Sequence, residues 1–190
     1  FFLSSRKINE KFKALSEQIP INVQVYAQDF SKTPVDSDFL IALQKFQPTI
    51  LIYVAGGGPH GEFQTKKWSD HLWALNTTFL YPAELLHHIL TSLSSWFFVK
   101  QIIFVGSAVA EQSADPNAAS YAAAKHALKG LISSIQHESV KSPQIELFSP
   151  GYMQTDMLPV TSWPLAQGLS ESPHLVAEKL MTVIEKNNQR

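Results

Sequence analysis

Apolar runs of strand length recur along this chain, and each is followed by a stretch long enough to carry a helix. Residues 1–3 are apolar and lead into Ser4-Ser5-Arg6, after which Ile8, Phe12, Leu15 and Ile19 recur at helical spacing. Residues 21–26 read as a second strand and residues 29–35 as a polar loop. Phe39, Leu40, Leu43 and Phe46 then share one face of a helix that stops before Pro48. Residues 49–55 form a nearly continuous apolar run, expected of a strand buried on both faces, and break into Gly56-Gly57-Gly58-Pro59. A long helix is expected from residue 68 to about 93, kinked at Pro82. A strand over 101–105, a helix from 119 to about 138, a strand over 144–148 ended by Pro150-Gly151 and a helix over 173–186 complete the pattern.

Parallel neighbours need a long crossover, so strands separated by helices point to an α/β fold, a doubly wound parallel sheet with helices on both faces. No repeat, low-complexity tract or linker divides the chain, and its 190 residues suit one domain over 1–190. Fifteen Lys plus Arg balance sixteen Asp plus Glu, with no strongly basic window, which argues against a nucleic-acid partner. No apolar run approaches the roughly 20 residues that span a bilayer, so no membrane partner is expected. The chain has no cysteine, which fits a cytoplasmic location and leaves no thiolate for a metal. The seven histidines show no ligand spacing, and they are expected at the surface with no metal site.

Ligands of an open parallel sheet bind beyond the carboxyl ends of its strands. Arg6, Asp29, Gly56, Ser107 and Pro150 follow those ends here. Fourteen residues after Ser107, Tyr121 opens the run Tyr121-Ala122-Ala123-Ala124-Lys125. Positions i and i+4 share a helix face, and a fixed ammonium one turn from a phenol favours the phenolate, bringing it toward acid/base work near neutrality. The intervening alanines leave room for a ligand. The spacing by itself is common on solvated helices.

With its context, the pattern resembles the short-chain dehydrogenase/reductase family, with motifs in order from Phe1 to about Met157. The resemblance implies a Rossmann-like fold and four catalytic roles. Asn76 would help hold a proton-relay water, Ser107 would bond the substrate carbonyl, Tyr121 would be the general acid/base, and Lys125 would also bind the nicotinamide ribose. Pro150-Gly151 and Thr155 match the family turn whose threonine contacts the nicotinamide amide. Ala55-Gly56 match the second half of an Asn-Asn-Ala-Gly signature whose asparagines are replaced by Tyr53 and Val54. Ser5 and Arg6 stand where the family reads the adenosine ribose, and a cation there suits a 2′-phosphate, hence NADP in preference to NAD. The plain alternative is that Arg6 begins a solvated helix turn. Asp29 matches the aspartate that caps the adenine amino group, or is an ordinary turn residue. The family's first strand and glycine-rich pyrophosphate turn have no counterpart before Phe1, so the sheet is expected to lack its N-terminal βα unit and a central strand.

The implied function is reversible hydride transfer between NADP(H) and a small-molecule carbonyl or alcohol, in a homodimer or homotetramer packed through the helices of Asn76 and Tyr121. The alternative is a non-catalytic binding or structural protein of the same fold that has lost its phosphate cradle. A Ser-His-Asp hydrolase built on Ser107 lacks the Gly-x-Ser-x-Gly elbow. Trp96-Phe97-Phe98 is expected in the core, and Met157 and Trp163 are candidates for a substrate lid.

Overall fold

The computed structural model describes residues 2–6, 14, 17–18, 23–111, 115–138, 142–158 and 163–188. The helix expected on Ile8, Phe12, Leu15 and Ile19 lies outside the described residues. Strands β1 (Phe2–Ser5) and β2 (Gln24–Ala27) form a parallel pair with Phe2 opposite Gln24. Strands β3 (Ile50–Tyr53), β4 (Gln101–Val105) and β5 (Gln144–Phe148) form a parallel sheet in that order, Ile50 facing Gln101 and Gln101 facing Gln144. The expected α/β class is therefore observed. Two two-residue strands, β6 (Tyr152–Met153) and β7 (Ser170–Glu171), pair after β5, too short for periodicity to reveal.

The sheet is interrupted, because β1 and β3 are not paired with each other. β4 is buried along its whole length, as expected. β3 is not: Ile52 is 41 % exposed, and Val54, just past the end of the strand, 62 %. Side chains alternate along a strand, so Tyr53 enters the core while its two neighbours face the uncovered side.

Helix α1 (Ser37–Phe46) starts where the Asp36 carboxylate accepts the N–H groups of Asp38 and Phe39, and ends on Gln47 in the left-handed region (φ 55°) before Pro48. Helices α2 (Trp68–Leu75) and α3 (Tyr81–Thr91) are joined by one π-helical segment, Asn76–Leu80. The distortion expected at Pro82 thus takes the form of a π-turn just before it, since the proline has no N–H to continue the ladder. Helix α4 (Ala119–Gln136) follows β4, a short α5 (Trp163–Ala166) follows the β6 region, and α6 (Pro173–Asn188) closes the chain.

The core gathers Phe39 and Leu43 of α1, Tyr53, Tyr81, Leu86 and Ile89 of α3, Phe104, and Leu128 and Ile132 of α4. Each such buried side chain contributes about 1.5–3 kcal/mol relative to exposure. Trp96 and Phe98 join it, but Phe97, expected with them, turns outward at 65 % exposed. The short helix ends at Trp96 and the chain turns through Phe97 and Phe98, so the three side chains point in different directions. Among the described residues, no helix is long and apolar enough to cross a membrane.

Candidate active site

The short helix at residues 108–110 carries the chain from β4 toward α4, and Ser107 caps it, its Oγ accepting the N–H of Val109 at 3.4 Å. The backbone here is tied to the end of β5, because Gly106 N–H donates to Phe148 O and Ala108 N–H to Pro150 O. A Cβ on Gly106 would stand 2.2 Å from Ser149 Oγ, so a side chain here would push Ser149 from its bond to Glu111.

Tyr121 and Lys125 sit one turn apart at the start of α4. Lys125 is 3 % exposed, and its Nζ donates to the carbonyl of Val105 at 2.6 Å. Burial pushes its pKa down to about 8. The Nζ lies over the Tyr121 ring, 5.6 Å from its centroid. Contrary to expectation, the Tyr121 phenol is held above its ordinary range. Burial raises it, a hydrogen bond with the Ser107 side chain pulls it down, and the Asp115 carboxylate raises it again. The ammonium does not reverse this, since its hydrogen bond is directed to Val105 and it faces the ring.

The three glycines after β3 are fitted against this centre. A Cβ on Gly56 would lie 3.3 Å from Lys125 Nζ, one on Gly58 2.9 Å from the Tyr121 Cβ, and one on Gly57 2.8 Å from the Trp73 ring. Met157 also reaches Gly57, its Cε 3.5 Å from the same added atom. Ser107, Tyr121, Lys125, Gly56 and the neighbouring Ala55 thus form one cluster at the carboxyl ends of β3 and β4. Asn76 begins the π-turn beside it, but its side chain turns away and donates to Ser31 O at 3.0 Å.

Ser5, Arg6 and Asp29 gather at the ends of β1 and β2. The Asp29 carboxylate accepts both the N–H and the hydroxyl of Ser31, and this bond holds its pKa below the usual carboxylate range, with a smaller contribution from Arg6. Pro150 is buried beyond β5, Gly151 has open space at its Cα, and Thr155 is exposed on the turn after β6, its N–H held by Met153 O.

Several functional neighbours carry no sequence signal. Thr78 bonds both backbone groups of Gly57, its Oγ1 accepting the N–H at 3.1 Å and donating to the carbonyl at 3.2 Å. Tyr152 donates to Asp115 Oδ1 at 2.6 Å, tying the loop between Ser107 and Tyr121 to the segment after β5. His71, expected at the surface, is 4 % exposed. Its Nε2 bonds Phe63 O and its Nδ1 bonds Ser120 Oγ beside Tyr121, because α2 and α4 pack together there.

Among solved structures, the fold is similar to 4-hydroxyisoleucine dehydrogenase complexed with NADH (TM-score 0.80, 19 % identity, covering 96 % of this chain and 79 % of that one). It is also similar to a 7beta-hydroxysteroid dehydrogenase (TM-score 0.76, 18 % identity, 95 % and 73 %). An alcohol dehydrogenase from the archaeon Thermococcus sibiricus, complexed with 5-hydroxy-NADP, is a third likeness (TM-score 0.75, 20 % identity, 97 % and 79 %). No curated protein matches the chain. The sequence matches the short chain dehydrogenase family over residues 6–163, so the chain belongs to that family.

Proposed function

We propose that the chain is a cytoplasmic oxidoreductase that interconverts a small-molecule carbonyl and its alcohol with NADP(H), in one cofactor-binding and catalytic domain. The observation that carries this reading is the cluster at the ends of β3 and β4: Ser107 beside the Tyr121 phenol, with the buried Lys125 ammonium over the Tyr121 ring and against Gly56. The chemistry suits a nicotinamide dinucleotide, since the glycine run lets the backbone after β3 pack closely on Tyr121 and Lys125, and Lys125 Nζ is buried without a carboxylate among its described partners. Ala55, Gly56, Lys125, Pro150, Gly151 and Thr155 would hold its nicotinamide half, and Ser5, Arg6 and Asp29 its adenosine half. When bound, this group supplies or takes up a hydride.

In reduction, Ser107 orients the carbonyl oxygen and Tyr121 gives it a proton while the carbonyl carbon gains the hydride. A phenol held above its ordinary pKa keeps that proton at neutral pH. Lys125 would hold the nicotinamide ribose at the floor of the site, and Asn76, whose side-chain amide is committed to Ser31 O, would serve a proton relay only through its place at the start of the π-turn. Exposed Arg6, following β1, suits a 2′-phosphate and favours NADP. Trp68, Leu72 and Leu80, all exposed on the helix of Asn76, supply apolar surface for a homodimer or homotetramer.

Titration of NADPH and of NADH into the purified chain, read by nicotinamide fluorescence and thermal stability together, tests the reading. Saturable binding with NADPH the tighter supports it, because a ligand that binds the native state alone raises apparent stability. Absence of binding by either favours a non-catalytic protein of the same fold.

A further inference from the structure

The π-turn between α2 and α3 has a carbonyl that its own helix cannot serve. Tyr81 N–H donates to Asn76 O, five residues back. In the same register, the Thr77 carbonyl would receive the N–H of residue 82, which is proline and has none. A buried carbonyl without a donor is costly. The Tyr53 hydroxyl reaches this carbonyl from the end of β3, at 2.7 Å in a buried setting.

We propose that Tyr53 is a positioning residue whose hydroxyl replaces the missing Pro82 N–H, fixing the π-turn of Asn76 against the glycine run. The turn is fastened on three sides. Tyr53 holds Thr77, Thr78 holds both backbone groups of Gly57, and Asn76 holds Ser31 O. The Tyr53 ring is itself fixed in the core, with centroids 6.3 Å from Tyr81 and from Phe104. Burial raises its pKa, so the hydroxyl remains a donor throughout the working range. This also gives a physical role to a position where the family signature carries asparagine. Local fastening of the turn is independent of the proposed reaction, whereas its service to that reaction rests on it.

The test is a cycle of four cofactor-free proteins: wild type, Tyr53→Phe, Pro82→Ala and the double variant, followed by thermal unfolding and by amide hydrogen exchange at Gly57 and Tyr81. Tyr53→Phe keeps the ring and is expected to lower Tm and to speed exchange at both amides by roughly tenfold. Alanine at 82 restores an N–H, so the double variant is expected to return to within about threefold of wild type in exchange, given the modest net worth of one such bond. Should Tyr53→Phe not fold, recovery of folding in the double variant supports the proposal and continued failure overturns it. Additive losses overturn it, as does a lower Tm with wild-type exchange at Gly57 and Tyr81, which would make Tyr53 only core filler. The cofactor titration is read separately: rescue by Pro82→Ala with no NADPH or NADH binding by wild type would retain the positioning role and reject the proposed reaction.

Discussion

The Nζ of Lys125 donates to the Val105 carbonyl at 2.6 Å, joining the second turn of α4 to the last residue of β4. Both elements of the candidate centre are therefore held at one buried cation. Its pKa, near 8 in the folded chain against an ordinary 10.5, links stability to pH. Below pH about 8 both folded and unfolded chains carry the proton, and burial of the charge costs stability. Between about 8 and 10 the folded chain has lost it while the unfolded chain keeps it, so stability rises, by roughly 2 kcal/mol over that window. Above 10 the buried tyrosines act the other way, since their pKa is raised on folding and the unfolded chain ionises first. Urea unfolding at a series of pH values is expected to show the rise in wild type and its absence in Lys125→Met. An equal rise in both proteins would contradict the buried ammonium.

Gly58 and Gly130 make opposite predictions. A methyl at Gly58 meets the Tyr121 Cβ at 2.9 Å and the Tyr121 backbone nitrogen at 3.3 Å, so Gly58→Ala is expected to cost about 1–3 kcal/mol and to displace Tyr121. Gly130, inside α4, has nothing within 4 Å of an added Cβ. Gly130→Ala is expected to stabilise by about 0.5–1 kcal/mol. Thermal unfolding of the two variants checks both signs.

Much of this architecture was legible because its signals are local. Pro48 and the apolar face of Phe39 and Leu43 mark α1 directly, and the fully buried β4 reads as an apolar run from Ile102 to Val105. Tyr121 and Lys125 were visible because one turn of helix brings them together. What depends on neighbours distant in sequence was not. The apolar run of β3 does not reveal that Ile52 and Val54 face an uncovered side, and Phe97 is indistinguishable in composition from Trp96. The direction of the Tyr121 shift follows from burial and Asp115, neither of which the spacing to Lys125 encodes. The burial of His71 follows from the packing of α2 against α4.

Arg6 tests the cofactor preference. It is exposed after β1, near enough to Asp29 to lower that carboxylate's pKa. Loss of one charge-assisted contact with a 2′-phosphate, in Arg6→Ala, is expected to weaken NADPH binding by about ten- to a hundredfold while leaving NADH nearly unchanged. Equal weakening of both dinucleotides in fluorescence titrations would remove Arg6 from the 2′-phosphate site.

The proton assignment is the centre of the account, and turnover by wild type and Tyr121→Phe, with NADPH and a panel of ketones and aldehydes, tests it most directly. The phenylalanine variant keeps the ring beneath Lys125 and loses only the hydroxyl, so it is expected to retain NADPH binding and fall in kcat by about 100-fold or more, the scale of a lost general acid. Near wild-type turnover by Tyr121→Phe on a substrate the wild type reduces well would contradict the account.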